Sequence, residues 1–143
     1  MVKPAGTFRY ERPEGDGSKE IAHLARTDTF KADVQRVTEE GANNMHAHTG
    51  NDGFWMVLEG EARFYGDGDE VLAELGPDEG IVIPRGLKYW FESIGDEDLE
   101  ILHVGSYDNR VEDHRVDHAD RDRPPASEES RRERAYQVDL QSE

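Results

Sequence analysis

The chain has no cysteine, four lysines and no long apolar run in its 143 residues. Without cysteine, disulfide frameworks, thiolate zinc sites and cysteine nucleophiles are excluded. No segment approaches the roughly 18 apolar residues of a membrane-spanning helix. No apolar stretch follows Met1-Val2-Lys3-Pro4, so no signal peptide is expected. Positive charge is scarce, with 17 Lys and Arg against 33 Asp and Glu and a net charge of −16. Nonspecific affinity for nucleic acid and anionic membrane comes from basic residues neutralising phosphate, so neither is an expected partner. The length suits one domain. The expectation is a soluble, acidic, cytoplasmic protein.

The kind of acidity is informative. Four Lys beside 13 Arg, 15 Asp and 18 Glu is a halophile-like composition. A folded chain of this mass exposes about 7,500 Å², which spaces the excess charges on the order of 20 Å apart. That exceeds a Debye length of ~8–10 Å, so average repulsion alone does not demand molar salt. Residues 108–143 hold 11 acidic and 7 basic residues, leaving 22 and 10 in residues 1–107. The acidity therefore belongs to the body of the protein as well as to its tail.

Residues 1–27 read as an N-terminal arm that Phe8 and Tyr10 pin down as a short edge strand. From 28 to 107, short apolar runs alternate with Gly, Asp and Pro punctuation, an all-β signature. Strands are expected at 30–38, 45–48, 54–59, 61–65, 71–75, 80–83, 87–93 and 99–105. Residues 108–143 are half charged and cannot offset their ordering entropy by apolar burial. Two readings stay open for Tyr136-Gln137-Val138-Asp139-Leu140: part of a disordered tail, or a strand added to a sheet edge, including one on a partner subunit.

The most specific feature is the run from Asn43 through Met45-His46-Ala47-His48 to Glu59-Gly60. Residues two apart on a strand face the same way, so His46 and His48 project together and two imidazoles reach one cation. With Gly41 and Gly60, this run resembles the first motif of the cupin superfamily, although Gly41 sits one residue closer to His46 than usual. The second cupin motif is matched by Gly80-Ile81-Val82-Ile83-Pro84-Arg85-Gly86 and the residues to Ser93. The resemblance spans about residues 30–107. It implies a jelly-roll barrel (double-stranded β-helix), commonly a homodimer, with a ligand pocket inside and a divalent metal such as Fe, Mn, Ni or Zn.

The departures from that pattern bear on function. The metal-binding Glu of the family falls at Gly53, its third His at Tyr89 and its Asn at Ser93. Asp52 is one residue off and ligates only if the strand bulges. His103 shares a face with Leu99 and Ile101, so it is either a third ligand or a core histidine. Tyr89 is expected as a neutral phenol contacting substrate. Trp55 is expected to face the cavity and Trp90 the opposite side, packed between sheets or at a dimer interface. Arg63 and Arg85 are either anchors for an anionic substrate or salt-bridge partners. His114 and His118 read as solvated, and His23 has no assigned role.

The candidate metal ligands are thus His46, His48, His103 and Asp52, and the candidate ligand-binding residues are Tyr89, Trp55 and Arg63. Three functions fit these residues. One is a metal-dependent oxygenase, isomerase or lyase acting on a small polar molecule. The second is a metal-free small-molecule-binding cupin, a sensor or an acid–base isomerase. The third is a scaffold acting through dimerisation.

Overall fold

The computed structural model describes residues 2–13, 19–38, 50–107 and 135–141 with their side chains, and the backbone of 45–48, 115–118 and 131–134. Among the described residues twelve strands form: β1 (Lys19–Thr27), β2 (Phe30–Val37), β3 (Met45–His48), β4 (Asn51–Glu59), β5 (Glu61–Tyr65), β6 (Val71–Leu75), β7 (Gly80–Ile83), β8 (Trp90–Ile94), β9 (Leu99–Tyr107), β10 (Arg115–His118), β11 (Arg131–Arg134) and β12 (Val138–Leu140). A single 3-10 turn at Asp67–Asp69 is the one helical element among the described residues. All eight expected strands are present, within about three residues at each end.

The larger sheet runs β11-β1-β2-β9-β4-β7, with β12 also on β1; a second runs β6-β5-β8, and β10 pairs with β3. Alternation along each strand decides what enters the space between the two main sheets. The larger sheet contributes Val37, Trp55, Val57, Ile83, Leu99 and Ile101, and the smaller one Ala62, Phe64, Leu75, Tyr89 and Phe91. Phe64 lies at the centre of the aromatic packing, stacked on Phe91 at 5.0 Å and edge-on to Trp55 at 5.9 Å. The β4–β5 turn needs Gly60, whose φ is +82° and whose absent Cβ would stand 2.6 Å from the Asp98 carbonyl.

Three expectations need correction. Residues 19–27 are not part of an arm: β1 is a nine-residue strand of the main sheet, with Ile21, Ala22 and Leu24 buried. Its mixed composition hid it, because its apolar residues fall on both faces and a bulge between His23 and Ala25 breaks their alternation. Nor are all of residues 108–143 a loose tail. Strands β11 and β12 run parallel to β1 of the same chain, and β10 is antiparallel to β3. The 136–140 segment thus finds its edge strand within its own chain.

Polar contacts, not Phe8, hold the arm. Phe8 is half exposed. Arg9 exchanges two hydrogen bonds with the Gln137 side chain, at 3.0 and 2.8 Å, and Lys3 donates to the Gln141 carbonyl. A register shift in β4 places Glu59 directly opposite Glu100 on β9. Like charges in that position repel. Arg12 bridges them, at 2.7 Å from Glu59 and 2.5 Å from the buried Glu100. Replacing Arg12 with Ala leaves two facing carboxylates without their cation, so the arm is expected to lift. Limited proteolysis checks this: cleavage within residues 2–13 should accelerate in the variant, and an unchanged rate would show that Arg12 is not the latch.

Candidate functional site

Strand β2 carries Asp33 and Gln35 on the same face as the core residue Val37, and both are buried. An isolated carboxylate there would be costly. Its partners remove the cost. Asp33 sits across from His103 on β9, whose Nδ1 is 3.1 Å from Asp33 Oδ2, and Gln35 Nε2 donates to Asp33 Oδ1 at 3.2 Å. Burial alone would push the Asp33 carboxyl up. The hydrogen bond and charge of His103, with the Gln35 amide, outweigh burial and hold it below its ordinary value.

The same cross-strand row continues in both directions. His23 on β1 is the neighbour of Asp33, and Trp55 on β4 is the neighbour of His103. The Trp55 and His103 rings stack at 4.1 Å and 27°. One row further along β4 and β9, Gly53 faces Gly105, and beyond them Asn51 faces Tyr107. Trp55 Nε1 leans over Gly53 and the Asn51 carboxamide over Gly105. Trp55 Nε1 and Asn51 Nδ2 are both buried with no hydrogen-bond partner among the described residues, as is Gln35 Oε1.

The predicted site residues separate accordingly. Trp55, Tyr89 and His103 are buried on the inner side, with Tyr89 in edge contact with Trp55 at 6.2 Å. Asp52 is exposed and accepts a hydrogen bond from the Arg85 amide at 2.9 Å. The ladder from Asn51 to Val57 is regular, so the bulge that would turn Asp52 inward does not occur. Arg63 lies on the face opposite Ala62 and Phe64, paired with Glu74 at 2.8 Å, which takes it away from the interior group. Trp90 faces away from Tyr89 and Phe91 as expected, but it stacks on Tyr65 at 4.1 Å and donates to Asp69 at 2.8 Å. The side chains of His46 and His48, and all of His114, lie outside the described residues. The backbone of β3 places His46 opposite Asp117 and His48 opposite Arg115.

Sequence reading missed Asp33, Gln35, Asn51 and His23. The signal was present in Lys31-Ala32-Asp33-Val34-Gln35, a strict alternation whose polar side is by default assigned to solvent.

Among the described residues no metal site is assembled, and the side chains of His46 and His48, the principal candidate ligands, lie outside them. No three His, Asp or Glu among the described residues are grouped to hold a divalent metal. Gly53 and Tyr89 stand where the cupin pattern has ligands, and the unpartnered group stacked beside His103 is an N–H donor. A donor offers no lone pair to a cation.

Comparisons with known proteins agree with the architecture. A search of curated proteins found no match. Among solved structures, the chain is similar to an uncharacterised conserved protein with a double-stranded β-helix domain from Klebsiella pneumoniae, with 18% identity over 76% of this chain and 87% of that one and a TM-score of 0.64. It is also similar to KdgF from Halomonas sp., with 16% identity, 73% and 97% coverage and a TM-score of 0.61. A third is the DMSP lyase DddQ from Ruegeria pomeroyi, with 19% identity, 66% and 49% coverage and a TM-score of 0.54. At such identities these likenesses establish the fold alone. The Cupin domain model matches residues 34–105, the span from within β2 to within β9 that includes Trp55, Tyr89 and His103, and the chain accordingly belongs to the cupin family.

Proposed function

We propose that the barrel interior binds a small polar molecule and that His103 carries protons there, oriented by Asp33. The observation behind this reading is the 3.1 Å Nδ1–Oδ2 contact on a ring stacked against Trp55. An ionised carboxylate only accepts, so the ring nitrogen facing it carries the hydrogen. In the neutral ring Nε2 is then the acceptor, suited to take a proton from a bound molecule and return it. A rigid ring stack fixes the direction of that lone pair. Long-range proton–nitrogen NMR of the imidazoles tests the assignment: neutral His103 should show the Nδ1–H tautomer, and a His103→Phe variant should lose binding of small polar ligands while keeping the stack. The opposite tautomer would sink the proposal.

A second reading, a metalloprotein built on His46 and His48, is favoured by their spacing on β3. Elemental analysis of untagged protein grown with iron, manganese, nickel and zinc separates the two. The expected content is well below one equivalent. Close to one equivalent, lost in His46→Ala, would establish the metal reading instead.

The same proposal includes a homodimer formed through the outer face of the larger sheet. Phe54 and Val82 are cross-strand neighbours there and are 45% and 64% exposed. A two-fold interface sets a patch against itself. On a chain of net charge −16, acidic patches repel their own copies and this apolar pair does not. Light scattering should give twice the 16.2 kDa chain mass, falling to a single mass in Phe54→Ser/Val82→Ser. A monomeric wild type removes the dimer.

A further inference from the structure

At one point of the inner wall two facing glycines supply no side chain of their own, and the Trp55 indole and Asn51 carboxamide lean over the floor they leave. Gly53 and Gly105 are cross-strand partners, so neither strand contributes a side chain at that point of the β4–β9 ladder. The floor is built rather than accidental. A Cβ on Gly105 would stand 2.7 Å from Asn51 Nδ2, and one on Gly53 would stand 3.2 Å from Trp55 Nε1. Cross-strand Cβ positions are about 4.5–5.5 Å apart, so both nitrogens flank one small floor. Each residue is over nine-tenths buried and each nitrogen lacks a hydrogen-bond partner among the described residues. A buried donor left unsatisfied destabilises the fold, and a ligand oxygen would satisfy it.

The cation beside the floor is Lys31. Lys31 is the β2 neighbour of Gly105, on the same face as Asp33, with its Nζ 5.9 Å from the Tyr107 ring. It forms no ion pair among the described residues, in a protein with 33 carboxylates. The carboxylate two residues along the strand, Asp33, is already bound to His103 and Gln35. Two N–H donors and an ammonium around one floor suit an acceptor with negative charge. We propose that the Gly53–Gly105 floor is the subsite for the carboxylate of a small organic acid, with Trp55 Nε1 and Asn51 Nδ2 donating to its oxygens and Lys31 supplying the counter-charge. This deepens the interior-binding reading and rests on it.

The two indoles supply probe and control. Trp55 Nε1 is unpartnered, whereas Trp90 Nε1 is bonded to Asp69. In proton–nitrogen spectra of the full chain, acetate and pyruvate should move the Trp55 indole resonance saturably and leave that of Trp90 in place. Acetamide and chloride should do neither. Lys31→Met, at a partly exposed position, should weaken the acetate response by about tenfold, the worth of one charge-assisted hydrogen bond. Gly105→Ala should abolish it by displacing the Asn51 amide. If acetamide matches acetate, or Lys31→Met changes nothing, the carboxylate assignment is overturned. If glycerol or glucose moves Trp55 and no carboxylate does, the subsite falls while interior binding stands. If no small molecule moves it, both fall.

Discussion

Phe64→Ala should lower the free energy of unfolding by about 3–5 kcal/mol, the range for removing a fully buried aromatic ring. Phe64 is completely buried and contacts the rings of Trp55, Tyr89 and Phe91, so it couples the smaller sheet to the larger. Part of the cost is lost apolar transfer. The rest is the cavity, because neighbours held by sheet backbones on both sides cannot collapse into it. Chemical denaturation with two-state analysis measures the change. A loss below about 1.5 kcal/mol would mean that the site repacks, as volume-conserving changes do. Because Trp55 rests on Phe64, the variant should also disturb the Trp55–His103 stack, visible as a shift of the His103 ring resonances.

Asp33→Asn should cost about 1.5–3 kcal/mol near neutral pH, the worth of hydrogen bonds to a charged group. The Asn amide keeps the shape of the carboxylate but accepts through one oxygen, and its NH2 faces a ring nitrogen that also donates. The pH dependence carries a definite sign. The folded Asp33 carboxyl is held below its ordinary 3.8, so between the two values the unfolded chain binds more protons. Its stabilising contribution is therefore complete above 3.8 and is lost as pH falls through the folded value. Other carboxylates titrate identically in wild type and variant, so the difference between the two stability curves isolates Asp33. That difference should close as the solution is made acidic through the folded value of Asp33. A gap that persists at pH 2 would mean that the Asn variant is destabilised by packing rather than by lost charge.

Much of the barrel was legible because its signals are local. The Gly76-Pro77-Asp78 and Gly95-Asp96 turns, and period-two apolar runs such as Ala62-Arg63-Phe64-Tyr65, name strand ends and inner residues without reference to any partner. Trp55 was expected to face inward by parity with Gly53 and Val57, and it is buried, as are Tyr89, Phe91, Ile101 and His103. Strand β1 escaped because its apolar residues Ile21, Ala22, Leu24 and Ala25 follow no clean alternation across the bulge between His23 and Ala25. Asp52 and Arg63 show the limit of naming a residue by chemistry. Both are suitable groups within two residues of buried positions, yet the pleat turns them to the outer faces.

The opening scarcity of lysine and of cysteine bounds the chemistry from sequence alone: any ligand meets nitrogen and oxygen groups, in a chain with few free cations. The sequence by itself also determined where strands β2 to β9 lie along the chain and, in alternating ones such as β5, which parity is buried, since backbone period and turn residues are properties of neighbours along the chain. Only the tertiary structure decided that the polar side of β2 faces inward. Whether a strand's polar face meets water or the barrel interior depends on what covers it, and the cover comes from residues seventy positions away. Closure of β2 against β9 is what gives Asp33 its histidine, sets Lys31 beside the paired glycines, and leaves the Trp55 and Asn51 nitrogens unpartnered over that floor.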